Sequence, residues 1–127
     1  MKQLNATVFP STDKTISVDD NLDGPDYGGA HDYQFQNTLG FNNGKAELHD
    51  SYQTLRFVMK KEDGTMMPGV QSEQVLIVLI DRHKKLNEKF PSREGALAIT
   101  KMEEALMWLE RRKKERIDRG VMGDLKK

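Results

Sequence analysis

Hydrophobic and polar residues alternate in two stretches of the first half of the chain. Apolar side chains recur with a period of two over residues 33–41, which predicts a half-buried strand, and Asn43-Gly44 directly after it is a strong hairpin signal. A second alternation spans residues 55–59 and ends in a turn at 62–64. These patterns predict antiparallel strands joined by hairpins.

The second half of the chain has helical periodicity. Apolar residues spaced by three or four predict one helix over about 72–88 and a second over 92–120, with Pro91 between them. Two helices joined by so short a turn form an antiparallel hairpin. The expected fold is therefore α+β, with an N-terminal antiparallel sheet of three to four strands within residues 31–68 and a C-terminal antiparallel two-helix hairpin within residues 72–120.

Residues 1–30 follow neither period. They are rich in Asp, Gly, Asn and Ser, and apart from a short strand at 15–18 we expect an acidic arm with loops. Residues 19–24 match the first half of a calcium loop, but Ala30 stands where the bidentate Glu is required. An acidic arm is the better interpretation, and we expect no metal site. The length of 127 residues fits one domain over the whole chain.

The composition adds an asymmetry of charge. The chain has 20 basic and 20 acidic side chains, but residues 1–50 carry three basic against eight acidic ones and residues 51–127 carry 17 against 12. This distribution argues against a uniformly basic coat for nucleic acid and leaves room for a local anion site in the second half. Only 36% of the residues are hydrophobic, so homo-oligomerisation is a reasonable way to bury more surface.

Cellular location is constrained by what the sequence lacks. Without cysteine there is no disulfide framework, no Cys-type zinc site and no thiol nucleophile. The first 20 residues lack the apolar stretch of a signal peptide, and the longest apolar run has six residues, from Val75 to Ile80. We therefore expect a soluble protein of the cytosol without a membrane partner.

Catalytic patterns such as His-Glu-x-x-His, a Walker loop or Gly-x-Ser-x-Gly are absent, so we expect neither an enzyme nor a cofactor. An arginine cluster (Arg112, Arg116 and Arg119) has the spacing i, i+4, i+7, which places it on one face of the second helix. Guanidinium groups suit phosphate oxygens because they donate in a planar, bidentate way. The alternative is a solvated helix end that pairs with its neighbouring carboxylates, Glu110, Glu115 and Asp118.

The helix–helix turn, residues 90–95, is a second candidate site. Phe90 and Pro91 precede the N-terminus of the second helix, and Arg93 lies in its first turn, so an anion or a purine could dock there. The alternative is an ordinary turn with Phe90 in the core. The turn and the arginine cluster lie at opposite ends of a helix about 40 Å long, so they meet only between two antiparallel protomers or serve different ligands.

At these positions the sequence resembles the first Thoeris anti-defence protein family of phages and prophages, which shares a helical-hairpin domain with anti-CBASS sponge proteins. The resemblance spans about residues 28–123 and is most specific in 69–123. It is carried by GVQSEQ (69–74), IDR (80–82), FPSRE (90–94), ALAITK (96–101), EEALMWL (103–109), Arg112, Arg116 and RGVMG (119–123).

This resemblance implies a non-enzymatic sponge. Proteins of the family sequester glycocyclic ADP-ribose, the signalling nucleotide made by bacterial TIR-domain sensors, and so keep the Thoeris effector silent. The resemblance further implies dimers or hexamers (trimers of dimers) with the ligand between protomers, and some hexameric relatives also bind cyclic di- or trinucleotides at separate sites. No nucleic acid partner is implied.

The family's site residues carry over by position. Arg112 and Arg116 are expected to grip the pyrophosphate, the helix–helix turn to line the base or ribose end, and the glycine-rich segment 26–29 to form a lid. Where the family often has Asn, this chain has Gly95, which removes a side-chain hydrogen bond. The residues expected to bind the ligand are Arg112, Arg116, Arg119, Phe90, Pro91, Arg93, Gly95, Arg56, Tyr33, Phe41 and His31.

Two other functions remain open from the sequence. A basic helical-hairpin module would bind a host protein or nucleic acid through the arginine cluster, with nucleic-acid affinity falling steeply as salt rises. A purely structural hairpin would bind no ligand.

Overall fold

A computed structural model describes residues 2–5, 12–19, 31–61 and 63–120. The chain divides into two compact units, a strand unit up to Gly69 and a helical unit from Val70 onward. The elements are β1 (Lys2–Leu4), β2 (Ile16–Asp19), β3 (Asp32–Asn42), β4 (Lys45–Arg56), β5 (Met59–Lys60), β6 (Met66–Met67), α1 (Ser72–Lys89) and α2 (Arg93–Asp118). The expectation of an α+β chain with the sheet before the helices is confirmed.

The main sheet has four antiparallel strands in the order β1-β2-β3-β4. The turn between β3 and β4 is made by Asn43 and Gly44, with φ of 53° and 77°. Two successive positive φ angles are those of a type I′ turn, whose twist matches that of the flanking strands. The hairpin predicted from Asn-Gly is therefore present, and β5 and β6 form the second predicted hairpin.

The strand unit differs from the expectation in two places. β1 was not predicted, and it pairs with β2 through the register Leu4↔Ile16, so part of the expected arm belongs to the sheet. The stretch expected as one strand over 55–59 is split between β4 and β5. Gly69 lies against the segment between them, so close that a Cβ there would lie 2.4 Å from the carbonyl carbon of Phe57.

The helical unit is an antiparallel pair with bounds close to the prediction. α1 and α2 bury Ile80 and Ile99, each 8% exposed, between them. Several other apolar side chains on the helices are exposed to solvent, among them Trp108, which is 60% exposed. No helix in the described ranges is long and apolar enough to cross a membrane.

Candidate functional site

The arginine cluster divides into three different environments. Arg112 is exposed, and within the described ranges no carboxylate lies at ion-pair distance from it. Arg116 is only 7% exposed, which makes it the one buried charged side chain in the part of the chain that the structure describes. Arg119 follows the helix and pairs with Glu115. The solvated, ion-paired interpretation thus holds for Arg119, whereas Arg112 presents its guanidinium to solvent.

Local hydrogen bonds build the helix–helix turn. The Ser92 hydroxyl accepts from the Gly95 N–H at 2.9 Å and so makes Ser92 the N-cap of α2, and the Ser92 N–H donates to Asn87 Oδ1 at 3.0 Å. These bonds leave the N–H groups of Arg93 and Glu94 without a partner among the described residues. An anion at this helix end would meet those two donors.

Phe90 is not a core residue. Its side chain is 68% exposed, and Lys89 Nζ lies 5.7 Å from the ring centroid. Pro91 and Arg93 beside it are exposed as well. The turn therefore offers an exposed aromatic ring with Lys89 beside it and an exposed Arg93 three residues further along the chain, a combination suited to a nucleobase that carries phosphate.

Gly95 is enclosed by side chains. A Cβ at this position would lie 2.8 Å from Asn87 Oδ1 and 2.9 Å from Ser92 Oγ, both closer than real Cβ contacts. The space of a side chain at residue 95 is thus occupied by Asn87, which reaches across from the last turn of α1. Sequence reasoning missed Asn87, although its place near the predicted helix end was a usable signal.

Three residues of the expected site lie in β3 and β4 or directly before β3. His31 accepts the Phe57 N–H through its carbonyl at 2.8 Å, and its Nε2 is buried with no hydrogen-bond partner among the described residues. Tyr33 packs edge-on against Phe57 with 5.8 Å between the ring centroids. Arg56 donates to Asp32 at 2.7 Å, so a carboxylate already compensates its charge.

Phe41 does not join this group. It lies eight residues along β3 from Tyr33, about 26 Å at the rise of a strand, beyond two irregularities in register. It is 73% exposed near the tip of the hairpin. The structure thus places His31, Tyr33 and Arg56 at neighbouring positions along the paired ends of β3 and β4, with Arg56 on the opposite face of the sheet from Tyr33, and leaves Phe41 apart.

Within the helical unit, the arginine cluster and the helix–helix turn are also separate. Arg93 and Arg116 lie near opposite ends of α2, about 35 Å apart at the helical rise. The segment expected as a lid (26–29) and the calcium-like positions 20–24 lie outside the described residues.

Two comparisons with known proteins bear on this geometry. The sequence model of the family described as "Acb2/Tad1, hairpin domain" matches residues 52–113. The chain is also 50% identical over 56 residues to "Thoeris anti-defense 1" of Bacillus phage SBSphiJ7, an alignment that covers 43% of this chain and 39% of that protein. The chain thus spans about two fifths of the length of this curated relative. The resemblance seen in the sequence is confirmed, and residues 52–113 match the hairpin domain of the Acb2/Tad1 family.

Proposed function

We propose that this protein is a non-enzymatic sponge that binds glycocyclic ADP-ribose and so blocks Thoeris, the TIR-based immunity of bacteria against phages. It would act in the cytosol of the infected cell, without a cofactor. The relative from a Bacillus phage bears the name of a Thoeris anti-defence protein, which supports the same role here.

The proposal rests on two exposed side chains that both lie in the residues matched by the family model. Arg112 is a guanidinium without a carboxylate partner in the described ranges, and Phe90 is an aromatic ring that is 68% exposed. A pyrophosphate-bridged adenine nucleotide needs one group of each kind, the first for its charge and the second for its base.

These two groups alone do not account for tight binding. A charge-assisted contact contributes about 1.5–3 kcal/mol and a stacked base about 1–3 kcal/mol. A sponge that competes with a receptor at nanomolar concentration needs about 12 kcal/mol. Further donors and enclosure from a second chain would supply the difference.

A pocket between two chains follows from the helix length. Because one chain holds the arginine cluster and the helix–helix turn about 35 Å apart, they can serve one small ligand only across an antiparallel contact between protomers. We therefore include a homo-oligomer, a dimer or a hexamer, in the proposal.

Calorimetry with glycocyclic ADP-ribose tests the ligand. We expect tight binding that Arg112→Ala weakens at least about tenfold, because a charge-assisted contact of that strength is lost. The matched control is Lys114→Ala, which removes the same charge from the same helix turn at another exposed position. Equal losses in both variants would mean that only the net charge matters, and no binding by the unaltered chain would refute the proposal.

Subunit complementation tests the two-chain pocket. Arg112→Ala and Phe90→Ala chains, unfolded together and refolded as a mixture, would form mixed dimers with one intact pocket each. About a quarter of all pockets should then bind if the subunits combine at random. Recovery of no sites would place both residues in one chain's own pocket or in different pockets.

Salt dependence separates this proposal from a nucleic-acid module. Binding of a small dianion should weaken modestly between 50 and 200 mM salt, whereas a protein with six to ten phosphate contacts loses about 10³–10⁵ in affinity. Cyclic di- and trinucleotides added to the saturated complex show whether a separate site exists for them.

A further inference from the structure

Lys113 joins the two helices at the end that carries the arginines. Its Nζ lies 2.9 Å from Glu73 Oε2 and also donates to Gln71 Oε1. Glu73 is in the first turn of α1, and Gln71 is the N-cap of that helix. The backbone N–H of Gln71 donates to Gln74 Oε1 at 2.8 Å. One side chain of α2 is thus held at two points by the start of α1.

This ion pair differs from the others in its burial. The side chains of Lys113 and Glu73 are 31% and 17% exposed, and every other ion pair given by the described residues is more exposed on both sides. Exposed pairs contribute little because water screens them, whereas a half-buried pair with an additional amide acceptor fixes the geometry of both partners.

Its position in the sequence links it to the candidate site. Lys113 directly follows Arg112 and precedes Arg116 by three residues, which is less than one helical turn. The other ion pair between the helices, Lys84–Glu103 at 3.3 Å, lies about 15 Å further along α2. Lys113 is therefore the ionic contact between the helices that is closest to the arginine cluster in the described ranges.

We propose that Glu73, with Gln71, is a positioning residue for nucleotide binding, because it fixes the end of α2 through Lys113 and thereby presents Arg112, the exposed member of the arginine cluster, to the phosphates. The inference rests on the proposed function and adds to it two residues that do not contact the ligand. Its mechanism is preorganisation, in which the ligand does not bear the cost of ordering a frayed helix end.

The sign of one substitution separates positioning from simple electrostatics. Glu73→Gln keeps the shape of the side chain and removes a negative charge close to the arginines. If Glu73 acted only through its charge, the variant would bind an anion more tightly. If Glu73 positions the arginines, the variant should bind glycocyclic ADP-ribose about tenfold more weakly, equivalent to about 1.4 kcal/mol.

Two controls accompany this variant. Asp81→Asn removes a carboxylate from the exposed Asp81–Lys85 pair of the same helix, and its affinity should stay within about twofold of the unaltered chain. Lys113→Arg keeps the ion pair and should retain binding. Amide hydrogen exchange in Glu73→Gln should accelerate in residues 113–118 and not in the middle of α1, which a general loss of stability would not produce.

The outcomes are distinct. If the unaltered chain binds no glycocyclic ADP-ribose, the proposed function fails and this inference with it. If the unaltered chain binds and Glu73→Gln binds equally or more tightly, only the positioning role is refuted. Should Glu73→Gln fold poorly by circular dichroism, Gln71→Ala takes its place, since it removes an acceptor of Lys113 without changing charge, and unaltered affinity in that variant refutes the inference.

Discussion

Replacing Gly95 by alanine tests how the helix–helix turn is built. The new Cβ would lie 2.8 Å from Asn87 Oδ1 and 2.9 Å from Ser92 Oγ, so both side chains must move. Moving Asn87 breaks its bond from the Ser92 N–H, and moving Ser92 breaks the N-cap bond from the Gly95 N–H. The turn would lose both of the side-chain bonds that define it.

The expected change in the free energy of unfolding combines two lost hydrogen bonds with the higher helix propensity of alanine. Each lost bond costs about 1 kcal/mol, and alanine gains at most about 1 kcal/mol over glycine in a helix. We expect a net destabilisation of about 1 kcal/mol, or about 4 °C in melting temperature. Urea unfolding followed by circular dichroism at the helical band measures it.

A double-mutant cycle isolates the contact with Asn87. In an Asn87→Ala background the amide oxygen closest to the new Cβ is absent. Gly95→Ala should then lower the free energy of unfolding by about 1 kcal/mol less than in the unaltered chain. Gly40→Ala is the matched control, since nothing lies within 4 Å of a Cβ there. An increase in stability on Gly95→Ala, or the same effect in both backgrounds, would refute this account of the turn.

Three further predictions concern single side chains. Phe90→Ala should weaken nucleotide binding about tenfold, by loss of a stacked base, with little change in melting temperature because the ring is 68% exposed; a large loss of stability would contradict its exposed position. Arg116→Ala should destabilise the chain by about 2 kcal/mol in urea unfolding, since its stem is buried, and a variant as stable as the unaltered chain would contradict this. The pKa of Asp63 should lie below its ordinary value of 3.8, because the Thr65 N–H donates to its carboxylate at 2.8 Å. The hydrogen bond from Thr65 to the ionised Asp63 carboxylate therefore stabilises this turn above pH 3.8, and this stabilisation is lost only as the pH falls through the lowered pKa. A carboxyl NMR titration with a midpoint at 3.8 or higher would contradict this prediction.

Local signals predicted much of the fold. Asn43-Gly44 specifies a type I′ turn through backbone preference alone, and Ser92 after Pro91 specifies a helix start through one side-chain bond. The bounds of both helices follow from the same kind of short-range chemistry. β1 could not be predicted in this way, because three residues without a period become a strand only by pairing with β2.

The candidate site depends more on distant contacts. The spacing of Arg112 and Arg116 gives a shared face, but their unequal exposure results from packing that the spacing does not encode. Lys113 and Glu73 are 40 residues apart and show no pattern that marks them as partners. The open ring of Phe90 was equally compatible with a core residue until the structure placed it in solvent.

Release of the bound molecule tests the central claim most directly. The protein is incubated with glycocyclic ADP-ribose, freed of excess ligand, heated until it unfolds, and the supernatant is analysed by mass spectrometry. A sponge returns the intact cyclic nucleotide in amounts near one per pocket, and Arg112→Ala returns less. Linear or cleaved nucleotide in the supernatant, or no nucleotide from the unaltered chain, would contradict sequestration without chemistry.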